Sequence, residues 1–137
     1  ADYLLRRQGL TLEEMASVIA APFWSTIEHM PKARGETCDY LRKEFPSLLM
    51  TGPFSILVGF EGGMMALNDR LKLRSMVAAK NGDTTYFASE ECAIRKMDVN
   101  AKDLFAPRGG EPVIVTLKNK SGGLPMADLN CFAEDAR

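Results

Sequence analysis

The spacing of hydrophobic residues changes from helical to strand-like partway along the chain. Behind Thr11, apolar residues recur at helical intervals up to Ile19, and Thr11 with Glu14 has the spacing of a capping box. This pattern predicts a helix that ends before Pro22. Residues 54–60 instead form a nearly continuous apolar run between Gly and Pro signals, which predicts a strand buried on both faces.

Three further helical segments are predicted in the first part of the chain. Gly9 stops the first of them, and prolines bound the second. Within the second, Phe23 and Trp24 are interpreted as core residues, because large aromatic side chains are mostly buried. The segments are residues 3–8, 23–30 and 37–45, with a loop over residues 31–35.

The second part of the chain is predicted to be an antiparallel meander with one helix and one more strand. Asn81-Gly82 gives the strongest hairpin signal. Ser89 is expected to cap a helix over residues 90–96, because its hydroxyl can accept from the first N–H groups of that helix. The later strands are predicted at residues 64–67, 73–79, 84–88 and 113–117, with a loop over residues 103–110. The expected fold class is α+β, with helices on one face of a mostly antiparallel sheet.

The charge balance gives no case for two classes of partner. The chain has 137 residues and a net charge of −1, with a pI near 5.9. Neither nucleic acid nor an anionic membrane surface is therefore expected as a partner. No apolar run approaches the ~20 residues that span a bilayer.

The three cysteines are odd in number and far apart, which fits a reducing, cytoplasmic compartment better than a disulfide framework.

The sequence offers no obvious nucleophile or metal ligand. Cys38, Cys92 and Cys131 are internal, none belongs to a Cys-x-x-Cys pair, and none has a partner histidine in view. They are interpreted as buried or incidental thiols. His29 is the single histidine and has no neighbour at metal-ligand spacing, so it is interpreted as a surface or packing residue and no metal site is expected.

A polar segment, residues 68–75, follows the second predicted strand, and we call it the Asp69 elbow. Arg70, Lys72 and Arg74 alternate, so an extended backbone would place them on one face. They would form either a solvated edge with local ion pairs or a basic strip beside a pocket or a domain seam. Asp69 is expected to anchor the elbow by accepting backbone or arginine hydrogen bonds. The candidate pocket or domain-seam residues are Asn68, Asp69, Arg70, Lys72, Arg74, Ser89 and Glu90.

Four short motifs follow one another along this part of the chain. They are Gly59-Phe60-Glu61-Gly62-Gly63, the elbow Asn68-Asp69-Arg70-Leu71-Lys72-Leu73-Arg74-Ser75, then Ala88-Ser89-Glu90-Glu91, and Gly109-Gly110-Glu111-Pro112-Val113. In this order they resemble the second half of the glutaminase domain of class II glutamine amidotransferases, most like that of glutamate synthase. The elbow motif of the family is of the type Arg-Asp-Pro-x-Gly-x-Arg-Pro. Here Arg70 replaces the first Pro, Lys72 the Gly and Ser75 the last Pro.

The resemblance implies a fold and places the catalytic residues outside this sequence. Residues 1–118 would be the C-terminal half of the domain, a portion of the αββα sandwich of N-terminal nucleophile hydrolases, and residues 119–137 a linker and tail. The family hydrolyses glutamine with the thiolate of an N-terminal Cys, an Asn-Gly pair that binds the oxyanion, and an Arg and an Asp that hold the substrate. In the family these residues lie upstream, and the first residue here is Ala1. No catalytic residue is therefore expected in this chain.

By the same resemblance, ammonia would pass to a glutamate-synthase-like subunit or domain with FMN and iron–sulfur clusters, while the glutaminase domain needs no cofactor. Half a sandwich would leave an apolar sheet face uncovered, so a hetero- or homo-oligomer is expected. Two alternatives stay open: a non-catalytic scaffold or regulatory subunit with the same fold, and an amidotransferase of a branch that serves a phosphoribosyl or sugar acceptor. The sequence upstream discriminates between enzyme and scaffold.

Overall fold

The protein has a mixed α and β fold with two small antiparallel sheets, as a computed structural model describes it over residues 1–117. The chain also forms a π-helical turn at Tyr3–Arg7 and a 3₁₀ turn at Pro46–Leu48. The helices are α1 Leu12–Ile19, α2 Trp24–Glu28, α3 Lys32–Glu44 and α4 Glu91–Met97. The strands are β1 Ser55–Phe60, β2 Gly63–Asn68, β3 Val77–Asn81, β4 Thr84–Ala88, β5 Lys102–Phe105 and β6 Val113–Thr116.

Helix α1 begins with the capping box that the sequence predicts. The Thr11 hydroxyl accepts from the Glu14 N–H at 3.1 Å, and the Glu14 carboxylate accepts from the Thr11 N–H at 2.8 Å. Both contacts satisfy backbone donors that the first turn of a helix leaves without partners. Gly9 separates α1 from the preceding turn and has a φ of +68°, a conformation that glycine adopts without steric cost.

The first sheet has the strand order β1-β2-β6, with β2 in the centre. Side chains alternate along a strand, so Met65 and Leu67 of β2 point to the same face, and both are completely buried. They pack against the helical layer. The other buried members of this cluster are Leu4, Met15, Ala16, Val18, Ala20, Leu41 and Ile114.

The second sheet has the order β4-β3-β5 and packs against α4. Ala79 of β3, Ile94 of α4 and Ala101 form its buried cluster. In each sheet, the central strand also carries a completely buried alanine on the opposite face, Ala66 in β2 and Ala78 in β3. Each sheet therefore has one face covered by helices and a second face that is buried at its centre.

Strand β1 corrects one sequence prediction. It lies at the edge of the first sheet, so the prediction that residues 54–60 are buried on both faces is wrong. Ile56, Val58 and Phe60 pack against the helical cluster, whereas Leu57 on the other face is 55% exposed. In a continuous apolar run, polar residues do not alternate with apolar ones, so the sequence gives no sign that one face of the strand is exposed to solvent.

Several boundaries also differ from the sequence predictions. Helix α3 begins at Lys32, directly after Pro31, so residues 31–35 are not a loop. The third strand begins at Val77 rather than at residue 73, because Asp69 holds the preceding segment in a turn. Strand β5 occupies part of the predicted loop over residues 103–110. The predicted strands near 64–67, 84–88 and 113–117 and the Asn81-Gly82 hairpin are confirmed.

Phe23 and Trp24 are not core residues, which corrects a further prediction. Their side chains are 39% and 45% exposed. Within residues 1–117, no helix combines the length and the apolar content that crossing a membrane requires. The predicted linker and tail at residues 119–137 lie outside the described residues.

Candidate functional site

The Asp69 elbow is organised around one buried carboxylate. The Asp69 side chain is almost completely buried, at 2% exposure. Its Oδ1 accepts from the N–H groups of Leu71 at 3.1 Å and Leu73 at 2.9 Å, and its Oδ2 accepts from that of Arg74 at 3.1 Å. The backbone N–H of Asp69 donates to the Phe54 carbonyl at 3.0 Å, which ties the elbow to the start of the first sheet. The expectation that Asp69 anchors the elbow is confirmed.

Inside the elbow the chain makes a tight turn. The N–H of Lys72 donates to the Asp69 carbonyl at 2.9 Å, and Lys72 has a φ of +53°. Residues in this left-handed region are usually glycine. Because the backbone turns here, the prediction that Arg70, Lys72 and Arg74 alternate along one extended face is wrong. The three cations do not form a continuous strip.

The Asp69 carboxylate stays charged at neutral pH despite its burial. Burial raises the pKa of Asp69, but the backbone N–H groups that face it, led by those of Leu73 and Arg74, lower the pKa by more. Hydrogen bonds to the charged form of a carboxyl favour that form. The pKa of Asp69 therefore lies below its ordinary value. Its oxygens are engaged by the backbone, so Asp69 serves as a folding anchor rather than as a free base.

The glycine pair before β6 packs directly on the elbow. The N–H of Gly110 donates to the Asn68 carbonyl at 3.3 Å, and Gly110 has a φ of +72°. A Cβ atom at Gly109 would lie 2.5 Å from the Arg70 carbonyl oxygen. Only a residue without a side chain fits at that distance. Two of the motifs quoted from the sequence are therefore in contact.

Asn68 is the most unusual polar residue of the site. Its side chain is completely buried, and neither its Nδ2 nor its Oδ1 has a hydrogen-bond partner among the described residues. Buried amide groups in proteins are nearly always hydrogen-bonded, because losing water without a replacement costs about 1–3 kcal/mol. The side-chain amide of Asn68 is therefore a buried polar group without a hydrogen-bond partner among the described residues, and it lies next to Asp69 in the sequence.

Arg70 leaves the elbow and reaches the connection between α1 and α2. Its Nη1 donates to the Ala21 carbonyl at 3.2 Å, and its guanidinium lies 4.5 Å from the centre of the Phe23 ring. Arg42 of α3 makes the same two kinds of contact with the next residues of this connection. It donates to the Pro22 carbonyl, and its guanidinium lies 4.2 Å from the centre of the Trp24 ring. Sequence reasoning missed Arg42, because no local pattern connects residues so far apart.

Ser89 and Glu90 lie at the end of the β3–β4 hairpin that the elbow leads into, because Ala88 pairs with Val77. No hydrogen bond or ion pair joins these two side chains to the elbow within residues 1–117. The prediction that Ser89 caps α4 is wrong: the residue at the cap position is Glu90, and its side chain makes no capping hydrogen bond. The Glu90 carboxylate instead accepts from the Cys92 thiol at 3.2 Å.

The thiols and the histidine do not form a reactive centre in the described part of the chain. The hydrogen bond to Glu90 raises the pKa of Cys92, which disfavours the nucleophilic thiolate. Cys38 is buried, and the Nδ1 of His29 lies 2.6 Å from the Ser25 carbonyl oxygen. No group of three or more His, Cys, Asp or Glu side chains within residues 1–117 is placed to hold a metal ion. Cys131 lies outside these residues.

Comparison with known proteins finds one curated relative, an uncharacterized protein of Archaeoglobus fulgidus. It is 36% identical over 119 residues, which are 87% of this chain and 32% of the relative. The chain thus spans about a third of the length of the protein it matches. No family model and no solved structure matches the chain.

Replacing Asp69 by Ala is expected to lower the free energy of unfolding by about 3 kcal/mol or more, because three backbone N–H groups lose a charged acceptor. Asp69→Asn keeps a neutral acceptor and should cost less. Urea unfolding at pH 7 measures both losses. Asp39→Asn, which removes a surface carboxylate 2.7 Å from Lys43, is the matched control and should cost less than about 1 kcal/mol.

The same variants test the charge state of Asp69. The pKa of Asp69 is lower in the folded protein than in the unfolded chain, where it is about 4. The Asp69 carboxylate therefore contributes fully to the free energy of unfolding above about pH 4. This contribution is lost as the pH falls through the pKa of the folded state. The stability difference between the wild type and Asp69→Asn should therefore narrow below about pH 4. A difference that stays constant to pH 2 would contradict this account.

Replacing Lys72 by Gly should leave stability unchanged or raise it by up to about 1 kcal/mol, since relief of the left-handed conformation outweighs the entropy of glycine. Leu71→Gly is the matched control: Leu71 is an exposed neighbour without a positive φ, so glycine there should destabilise by about 0.5–1 kcal/mol. Thermal unfolding of both variants measures the contrast. Equal losses at the two positions would rule out the turn described here.

Gly109→Ala is expected to destabilise the protein by about 2 kcal/mol, because the new methyl group collides with the Arg70 backbone. Gly59→Ala in β1 is the control, since a Cβ atom there meets no atom within 4 Å. That variant should be nearly neutral in the same urea titration. A tolerated alanine at Gly109 would show that the glycine pair does not pack on the elbow.

Proposed function

We propose that this chain is the second half of a glutaminase domain of the class II glutamine amidotransferase type, most like that of glutamate synthase. In the proposed enzyme an N-terminal Cys upstream of these residues hydrolyses glutamine. The ammonia then passes to a synthase partner, which by the same resemblance carries FMN and iron–sulfur clusters. This segment supplies part of the framework of the domain but not the nucleophile. The proposed enzyme is cytoplasmic.

The observation that carries the proposal is the backbone of the Asp69 elbow. Asp69 to Lys72 form a turn in which the fourth N–H bonds to the first carbonyl. In such turns Asp is favoured at the first position, Pro at the second and Gly at the fourth. The Asp-Pro-x-Gly core of the family motif matches that order. The elbow therefore has a conformation suited to the family motif, although Arg70 and Lys72 replace its Pro and Gly.

The faces of the two sheets give further support to the proposal. Each sheet has one face covered by helices, while Ala66 and Ala78 are buried on the opposite faces. An arrangement of helices, sheet, sheet and helices would bring those opposite faces together, as in an αββα sandwich.

The experiment that tests the proposal uses the natural polypeptide that carries this segment together with its own upstream sequence. We expect it to convert glutamine into glutamate and ammonia, and a diazoketone analogue of glutamine to label its first residue, a Cys, as mass spectrometry of the labelled peptide would show. Cys38→Ala and Cys92→Ala are the matched controls and should keep the activity, because neither thiol is the proposed nucleophile.

The 137-residue chain by itself should release no glutamate, since on this proposal the nucleophile and the oxyanion donors lie upstream of it. Glutamate release from this chain alone, or loss of activity in the Cys92→Ala variant, would overturn the assignment of roles. A natural polypeptide that folds but neither hydrolyses glutamine nor reacts with the diazoketone would favour the alternative function, a scaffold or regulatory subunit with the same fold.

A further inference from the structure

Two arginines from distant parts of the chain converge on one short connection. Arg42 lies on α3 and Arg70 in the Asp69 elbow, and they donate to the neighbouring carbonyls of Pro22 and Ala21. Their guanidinium groups lie 4.2 and 4.5 Å from the ring centres of Trp24 and Phe23. We call this group the Arg42–Arg70 surface.

The two guanidinium groups are not neutralised by acidic side chains of the described residues. Neither arginine takes part in the ion pairs that Arg6, Lys32, Lys43 and Arg95 form within residues 1–117. Burial and the positive charge of Arg70 both lower the pKa of Arg42, which indicates that the two cations lie close enough to repel each other. Two partly buried positive charges held side by side are unfavourable unless an anion compensates them.

The geometry leaves donors for such an anion. A guanidinium carries five N–H donors in a planar fork, and one N–H of each group is used by a backbone carbonyl. The central carbon of each guanidinium lies over an aromatic ring, at 4.2 Å from the ring centre for Arg42 and 4.5 Å for Arg70, so the ring does not use up the remaining N–H donors. A planar carboxylate fits this kind of fork with two parallel hydrogen bonds.

The aromatic rings show that the surface is open. Phe23 and Trp24 stay 39% and 45% exposed beneath the arginines. In protein interfaces, aromatic residues and arginine are enriched among the few residues that contribute most of the binding free energy. A small carboxylate could engage the guanidinium groups but would leave the two rings in water, whereas a peptide can cover both.

We propose that the Arg42–Arg70 surface binds an acidic peptide segment of a partner protein, with carboxylates on the two guanidinium groups and an apolar side chain against the exposed rings. The inference rests on the contacts of Arg42, Arg70, Phe23 and Trp24 and not on the proposed glutaminase activity. The partner is defined by this chemistry: acidic residues that flank one large apolar residue.

The test uses the fluorescence of Trp24, which is the only tryptophan of the 137-residue chain and part of the surface itself. The probe is a synthetic pentapeptide with one leucine flanked by two glutamates on each side. We expect a saturable change in Trp24 emission, and affinity that falls as salt is added. Arg42→Gln and Arg70→Gln should each weaken binding at least tenfold while keeping an N–H donor for the backbone carbonyl.

Lys43→Gln is the matched control, because Lys43 neighbours Arg42 on α3 but is already paired with Asp39. It should bind the peptide within about twofold of the wild type. Circular dichroism checks that each variant is folded, and the lysine counterpart of the peptide, used on the unmodified chain, should not bind. That comparison tests the charge requirement even if an arginine variant fails to fold.

Four outcomes would overturn the proposal. They are no response of Trp24 to the acidic peptide, equal binding of the lysine peptide, binding that neither Arg42→Gln nor Arg70→Gln changes, and equally tight binding of free glutarate or inorganic phosphate. The last result would assign the surface to small anions instead of a partner protein.

Discussion

The buried carboxylate of Asp69 is the constraint on which this part of the molecule depends. A carboxylate removed from water must be satisfied, and here three backbone N–H groups of the following five residues satisfy it. Those contacts turn the chain out of the first sheet and fix where β3 begins. They also direct Arg70 toward the α1–α2 connection and create the close fit of Gly109. The Asp69 elbow as a whole thereby joins the first sheet, the start of β3 and the α1–α2 connection.

This role also limits the chemistry of the elbow. Backbone donors occupy the Asp69 carboxylate, and the hydrogen bond to Glu90 raises the pKa of the Cys92 thiol, so neither group is activated as a base or a nucleophile. Within residues 1–117, Arg42 and Arg70 keep N–H donors beside the partly exposed rings of Phe23 and Trp24. That division agrees with the proposed function, in which catalysis resides upstream and this segment provides framework and contacts.

Local signals in the sequence predicted the elements that local contacts determine. The capping box at Thr11, the Asn81-Gly82 hairpin and the anchoring role of Asp69 each follow from a few adjacent residues, and the structure confirms them. The predictions that were wrong concern features that depend on residues far apart in the sequence. The exposure of Leu57 depends on which strands flank β1, and the rings of Phe23 and Trp24 contact Arg42 and Arg70, which lie in other elements. No window of neighbouring residues contains that information.

The measurement that tests the central claim most directly is the intact mass and N-terminal sequence of the mature natural polypeptide that carries these residues. The account predicts a longer chain whose first residue is Cys, because the glutaminase reaction needs a thiolate beside a free α-amino group. A mature chain that begins at Ala1, or a longer one that begins with another residue, would contradict the proposed glutaminase. It would leave the Asp69 elbow as part of a binding scaffold.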